Sequence, residues 1–584
     1  MKFDFAGVDL SSRRFHLFGF LALAFAISTI LLSGKPMALT GDEPRYVMYA
    51  MALLRYGRFN MDLAEWQPLY LAATGSVAAE LPVGGNNVVL MHGVYLPALF
   101  APVGALFGPT GLRFATMLAG LAGLWFLLRI CRRVGSPGAA LLATAVAGLS
   151  LPMLPYLHLF YMETFLFALV AFTWDRLQSR AGTLGGDLLT GVLILFVPFV
   201  HMRGAVVAAA LFAMLLLDMW RLGKRLSTLG FVAMAGGALV LLVVLNLWIY
   251  GVVTGPVNTA RPPLPWEWFS VVSMQLFNVR HGLIAFAPVY LLGYAGLIMG
   301  SLRGQRIAGQ GLVLAVLAGL TGMGVNPGES WPARFWVLSI PMLSVGLCLA
   351  WSMSRSWLMR GVLLGLICLT LVNTWLFINV PNMLLENRQT TATYQRAFDK
   401  IGFLNPGLTL PVELDDDVNR SAARDMALGS ALFILLACAG MASRRWIVSV
   451  PAALLVLAAL DLTRMAMVPK TDYTVTTQPH GYSVAFAQPN KAIYVQTGNN
   501  WETWFVAPDF PIFSVNTTGL AGRTSHAELD ANQVISASCE AGVRSMTVSA
   551  KDSYNFAPAL AAKFVVYRSQ SLIRNFAAPL RGAC

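Results

Sequence analysis

The chain has 584 residues, 57% of them hydrophobic and only 12% charged, with a formal net charge of +13. So apolar a composition excludes an ordinary soluble globule. The positive excess does not indicate nucleic acid, because the basic residues fall in short turns between apolar runs and form no stripe interleaved with stacking aromatics.

Taken in chain order, Lys2, Arg13 and Arg14 precede a first apolar run, Phe15–Leu32. That run is longer than a signal-peptide core and lacks a small-x-small cleavage site, so it reads as a retained anchor. Residues 35–110 form the first outer loop. Within it, 92–107 carries Pro97, Pro102 and two glycines, which suit an interfacial or re-entrant segment better than a full crossing. Further spans fall near 111–131, 137–155, 157–176, 186–200, 204–221, 229–250, 283–301, 308–325, 335–353, 359–380, 425–442 and 446–467.

With this threading Arg132-Arg133, Arg176 and Arg180, Arg221/Lys224/Arg225, Arg303 and Arg306, Arg355 and Arg360, and Arg444-Arg445 share one side. By the positive-inside bias that side is cytoplasmic. The expectation is an all-α polytopic membrane protein of about thirteen spans, filling residues 1–469. From 470 to 584 the composition turns polar. Tyr473–Thr477, Tyr482–Ala487, Ala492–Thr497 and Phe564–Tyr567 read as short strands of a small β-rich extracytoplasmic domain. Cys539 and Cys584 lie in this tail and would be able to pair if it faces an oxidising compartment.

The same threading gathers the other polar residues at the outer ends of helices or in outer loops: Asp42, Glu43, His92, His158, His201, Arg203, Arg280, His281, Glu329 and Arg334. Two adjacent carboxylates beside a bilayer are costly unless they bind or react. Asp42 and Glu43 stand before Pro44, a residue suited to the first position of a helix, so one reading is a helix cap. The other is a surface carboxylate that takes a proton from a hydroxyl or ligates a divalent cation. Arg203, Arg280 and Arg334 suit a phosphate group through their bidentate geometry, against the plainer alternative of snorkelling at helix ends. His92, His158 and His201 show no metal-ligand spacing, and Glu163 either pairs with Arg203 or lines a cavity.

Several of these stretches carry a resemblance. Gly41-Asp42-Glu43-Pro44-Arg45-Tyr46, followed by Leu53-Leu54 and Gly57-Arg58-Phe59-Asn60-Met61-Asp62, resembles the first outer loop of the GT-C glycosyltransferases. More narrowly, it is similar to bacterial relatives of the protein O-mannosyltransferases and the lipid A aminoarabinose transferases. His92-Gly93-Val94-Tyr95-Leu96-Pro97, Phe160-Tyr161-Met162-Glu163, His201-Met202-Arg203, Arg280-His281-Gly282-Leu283 and Trp331-Pro332-Ala333-Arg334-Phe335 follow in the family's order. The resemblance covers about 40–345.

It implies a GT-C fold and an enzyme that moves a sugar, with inversion, from a polyprenyl-phosphate donor to a hydroxyl acceptor. The acceptor would be an envelope glycan, lipid or protein at the outer face of a bacterial inner membrane. It further implies Asp42 as the catalytic carboxylate with Glu43 in support, and Arg203, Arg280, His281 and Arg334 on the donor phosphate. His92, Glu163 and His201 would line the cavity. The cofactor considered is a divalent cation, Mg or Mn, at Asp42. Arg45 departs from the family pattern, and a cation so near the acid would weaken it as a base. The competing classes are a transporter or flippase of a lipid-linked sugar, which internal repeats would favour and which this chain does not show, and an O-antigen-type polymerase.

Overall fold

The computed structural model describes residues 13–33, 42–59, 65, 68, 92–179, 183–253, 255–256, 275–276, 282–321, 333–354, 357–379, 430–438 and 441, with strands between 473 and 579. The structural statements below concern these residues. Arg280, His281 and Glu329, and the span expected at 446–467, lie outside them.

The chain divides into two compact units. One comprises residues 1–264, 286–386 and 434–449; the other comprises 265–285, 387–433 and 450–584.

The first unit is helical. Its main helices are Arg13–Ser33, Glu43–Tyr56, Tyr95–Val134, Pro137–Leu149, Met162–Gln178, Leu184–Val200, Ala205–Arg221, Arg225–Tyr250, Tyr290–Leu302, Arg306–Thr321, Ile340–Met353 and Trp357–Asn379. Local sequence sets several ends. Ser136 accepts from the backbone N–H of Ala139 ahead of Pro137, Thr183 caps Gly186, and Gly57 closes the first-loop helix in the left-handed conformation at φ 67°.

Five helical stretches are long and apolar enough to cross a membrane: Phe15–Leu32, Tyr95–Val134, Met202–Arg221, Arg225–Tyr250 and Arg334–Met353. Shorter apolar helices accompany them, including Leu184–Val200, Tyr290–Leu302 and Arg306–Thr321. This is a multi-pass membrane protein, with fewer full-length helices among the described residues than the thirteen spans expected.

Tyr95–Val134 is not one straight rod. Gly108, at φ 61° and ψ −156°, breaks it, and Pro109 follows immediately. The break separates the stretch expected to be interfacial from the apolar stretch after it.

The centre of this unit is Ile340–Met353, buried on almost every side. Its approach to Tyr290–Leu302 is backbone to backbone, since a Cβ on Gly296 would lie 1.9 Å from the Gly346 carbonyl oxygen. Small residues let apolar helices gain dispersion contacts where lipid supplies no hydrophobic drive. Arg225–Tyr250 is the opposite case. It exposes Leu226, Leu229, Val240 and Trp248, as a lipid-facing helix would.

The second unit contains a mainly antiparallel sheet. Its strands run in the order Tyr473–Gln478, Gly481–Gln496, Val534–Ala550, Ile512–Gly519 and Thr524–Asp530. Val565–Arg568 pairs with the second of these, and Ala578–Pro579 lies parallel to the third. This unit also takes in 265–285, 387–433 and 450–469, ahead of the boundary expected at 470.

Candidate functional site

The site is built where four stretches of the first unit meet: the start of Glu43–Tyr56, the residues before Tyr95–Val134, the start of Met162–Gln178, and the short 3-10 turn Arg334–Ser339. Each places a charged or polar side chain at a helix beginning. Glu43 and Glu163 both sit in first turns, where the positive end of the helix dipole favours a carboxylate.

Asp42 and Glu43 face different partners. Asp42 makes no side-chain cap to the helix behind it. Its Oδ2 pairs with Arg334 Nη1, and its Oδ1 lies 3.1 Å from His92 Nε2. Its own backbone N–H donates to the Tyr161 hydroxyl at 3.1 Å. Glu43 is fully buried. Its Oε1 accepts from Arg113 Nε at 2.8 Å and from the Phe160 backbone N–H at 2.9 Å, while Oε2 accepts from Arg113 Nη2 at 2.6 Å. This fork-to-fork pair uses both carboxylate oxygens.

Arg334 joins two acids. Besides Asp42 it holds Glu163, with Nε 2.6 Å from Oε1, and its guanidinium lies 4.6 Å from the centre of the Tyr161 ring. The residue before it, Ala333, has φ 57°, the one left-handed non-glycine residue among those described. Such a conformation is costly for alanine and persists only where its surroundings enforce it. The strained turn aims Arg334 into the carboxylates.

The remaining groups frame this chain of charges. The Tyr46 ring packs edge-on against His92 and Tyr161. Tyr250, at the end of Arg225–Tyr250, accepts from Val94 N and donates to the His92 carbonyl, fixing the backbone that carries His92. His92 Nδ1 and Glu163 Oε2 are buried without a partner among the described residues. His201 Nδ1 accepts from the Arg203 backbone N–H at 3.1 Å. The Arg203 guanidinium lies 3.7 Å from the centre of the Phe335 ring.

Electrostatics divides the site. Burial alone would raise the Asp42 pKa, but Arg334 and then His92 outweigh it and hold the carboxyl well below the usual carboxylate range. Asp42 is therefore an anion at any physiological pH. Burial, with Arg203 and Arg334 adding to it, pushes His201 well below the ordinary imidazole value, so it is neutral.

Asp42, His92, Glu163 and Arg334 form one connected cluster. Two expectations change in detail. Glu163, expected to line a cavity or pair with Arg203, pairs with Arg334, and the Arg334 guanidinium contacts two carboxylates. The cation acting on Asp42 is Arg334, not the neighbouring Arg45. Glu43 is turned away from Asp42 into its own pair, a consequence of two adjacent residues at a helix start pointing in different directions.

A divalent cation at Asp42 does not fit this arrangement. Both its oxygens are taken by nitrogen donors, and no group of three His, Cys, Asp or Glu side chains able to hold a metal occurs among the described residues.

Sequence reasoning missed Arg113 and the pivot role of Tyr161. The signal for Arg113 was present, since it stands alone at the head of the long apolar run Phe114–Ile130.

No protein-family model matches the chain, and no curated protein does. Among solved structures it is similar to apo ArnT from Cupriavidus metallidurans, at 15% identity and a TM-score of 0.41, covering 77% of this chain and 75% of that one. It is also similar to the Archaeoglobus fulgidus oligosaccharyltransferase, at 11% identity and TM-score 0.40, over 68% of this chain and 60% of the other. A third is the arabinofuranosyltransferase AftD from Mycobacteria, at 13% identity and TM-score 0.35, over 96% of this chain and 61% of that one. Similarity of this size leaves the activity to be argued from the site.

Proposed function

We propose that the protein is a membrane glycosyltransferase of GT-C type. It moves a sugar, with inversion, from a polyprenyl-phosphate donor to a hydroxyl of an envelope glycan, lipid or protein. In this reading the reaction takes place at the extracytoplasmic face of a bacterial inner membrane, with the sheet-bearing tail on the same side. ArnT has been crystallised with undecaprenyl phosphate, and AglB from Archaeoglobus fulgidus is known with a dolichol-phosphate, which makes a lipid-phosphate donor a reasonable class to test.

The observation that carries the reading is the uneven exposure of the charge cluster. Asp42 is 24% exposed while Arg334 and Glu163 behind it are 7% and 6%. One permanent carboxylate thus faces outward from a rigid, buried support. The acceptor oxygen attacks the anomeric carbon as the bond to phosphate breaks, and the electron pair leaves on the polyprenyl phosphate. A carboxylate with so low a pKa is a poor base at the start of this step. It serves first as the acceptor of the hydroxyl's hydrogen bond. It takes the proton late, once the new bond has made that hydroxyl acidic.

Arg203, stacked on Phe335 with no carboxylate partner among the described residues, is the cation for the departing phosphate. Arg280 and His281 remain proposed helpers there. Glu43 supports by position: its pair with Arg113 fixes the helix start from which Asp42 projects.

Purified Asp42→Asn should insert and unfold like the parent protein but lose sugar transfer at least 100-fold, a drop of about 2.7 kcal/mol in transition-state stabilisation. Near-normal transfer by that variant overturns the assignment. Comparing envelope glycans by mass and linkage, with and without the protein, identifies donor and acceptor.

A further inference from the structure

Both oxygens of Asp42 meet nitrogen donors instead of the open coordination a divalent cation needs, and one of those donors is itself a cation. Arg334 reaches Asp42 Oδ2 through Nη1 and Glu163 Oε1 through Nε, so one guanidinium bridges carboxylates 121 positions apart in the sequence, at residues 42 and 163. Bridging two carboxylates is the usual work of a metal ion in an acidic site. The third potential ligand, His92, already points Nε2 at the other oxygen of Asp42.

We infer that Arg334 takes the place of a metal ion, a built-in monovalent bridge between Asp42 and Glu163, and that the site works without a divalent cation. The inference rests on the glycosyltransferase reading only for the word "works"; the bridge itself is independent of it.

Charge balance supports it. Asp42 and Glu163 contribute two negative charges. Arg334 and Arg203, which Arg334 lies near enough to act on, contribute two positive ones. The cluster is neutral as built. A divalent ion added to it would meet two arginines and no uncommitted carboxylate oxygen except the buried Glu163 Oε2. Mg²⁺ also demands about six oxygens at roughly 2.0–2.1 Å, and the two Asp42 oxygens are held instead by nitrogen donors. The strained Ala333 turn is consistent with the same design, since it holds a fixed cation in place.

Geometry then makes a specific forecast. Removing the guanidinium should leave one oxygen each of Asp42 and Glu163 facing a vacated position, two carboxylates that Mn²⁺ would draw together, with His92 beside Asp42 as a further donor. The test is Mn²⁺ binding to purified full-length protein, followed by paramagnetic resonance of the free ion. The parent protein is expected to bind no stoichiometric Mn²⁺ at this site. R334A is expected to bind one ion at least tenfold more tightly, and D42N/R334A to lose that gain. Stoichiometric binding by the parent that D42N abolishes overturns the inference. So does an R334A that folds but gains no binding. If R334A does not fold, R334M serves in its place. In a separate arm, transfer by the parent should persist in excess EDTA; loss of transfer that Mg²⁺ or Mn²⁺ restores also overturns it. A parent that shows neither transfer nor Mn²⁺ binding, beside an R334A that gains binding, sinks the proposed function and leaves the bridge standing.

Discussion

Both ends of the helical unit carry ion pairs, and they are built differently. Met162–Gln178 shows this within one helix: Glu163 in its first turn and Asp175 near its last, about 18 Å apart along the axis at 1.5 Å per residue. At the Asp175 end, Arg129 and Arg133 reach one carboxylate with side chains 40% and 30% exposed. Lys224 with Asp187 and Arg306 with Asp218 lie at that same arginine-rich end. At the Glu163 end, Arg113 and Arg334 are 9% and 7% exposed and each holds its carboxylates through more than one nitrogen. Partly exposed arginines at helix ends mark topology and contribute little to stability. Buried pairs cost desolvation that their attraction barely offsets. A fold keeps such pairs where orientation matters more than stability, and here they orient Asp42.

The largest effect should come from breaking the fully buried pair. Arg113→Met leaves Glu43 with a single backbone donor and an uncompensated buried charge. The expected destabilisation is about 3–5 kcal/mol, read as a fall in unfolding temperature or loss of folded protein in detergent. An unchanged unfolding temperature would erase the distinction between the two ends.

A smaller effect is expected from pH. His201 is held neutral, its folded pKa lying below that of an unfolded histidine, near 6.5. As pH falls below about 6.5 the unfolded chain takes up a proton that the folded chain refuses, so stability is lost with acidification. His201→Gln should flatten that loss between pH 7 and pH 5. A steeper fall in the variant would reverse the sign and contradict a neutral imidazole.

Much of this organisation can be read in the sequence, and the remainder cannot for definite reasons. Apolar length locates helices such as Arg225–Tyr250 because the bilayer imposes it. Asp42, His92, Glu163, His201, Arg203 and Arg334 stand out as polar residues beside apolar runs. What pattern cannot supply is pairing. Nothing in Asp42-Glu43 says which acid turns inward, because that depends on Arg113 and the Phe160 N–H arriving from another helix. Nor does spacing show that Arg334 would bind acids in place of phosphate, since its partners lie 292 and 171 residues away. The break at Gly108 is half legible: Pro102 and Pro109 warn of it, but only the backbone gives its position.

A finer probe of the site end is Phe335→Leu. The ring under Arg203 is neutral, so its loss changes no charge. A cation–π contact of about 0.5–1 kcal/mol corresponds to roughly 2–5-fold. The expected result is a rise of that size in the KM for the lipid-phosphate donor, with kcat and unfolding temperature little changed. A fall in kcat alone would instead place Phe335 with the acceptor.

The smallest effect belongs to the other end. Arg306 reaches both oxygens of Asp218 through the single nitrogen Nη2, and its side chain is 54% exposed. Solvent screens such a pair, and holding a long side chain in one geometry costs entropy, so about 0–1 kcal/mol is expected. Arg306→Ala should leave unfolding and transfer within error. A loss approaching that of Arg113→Met would mean that position within the bundle, and not burial, decides which charges the fold depends on.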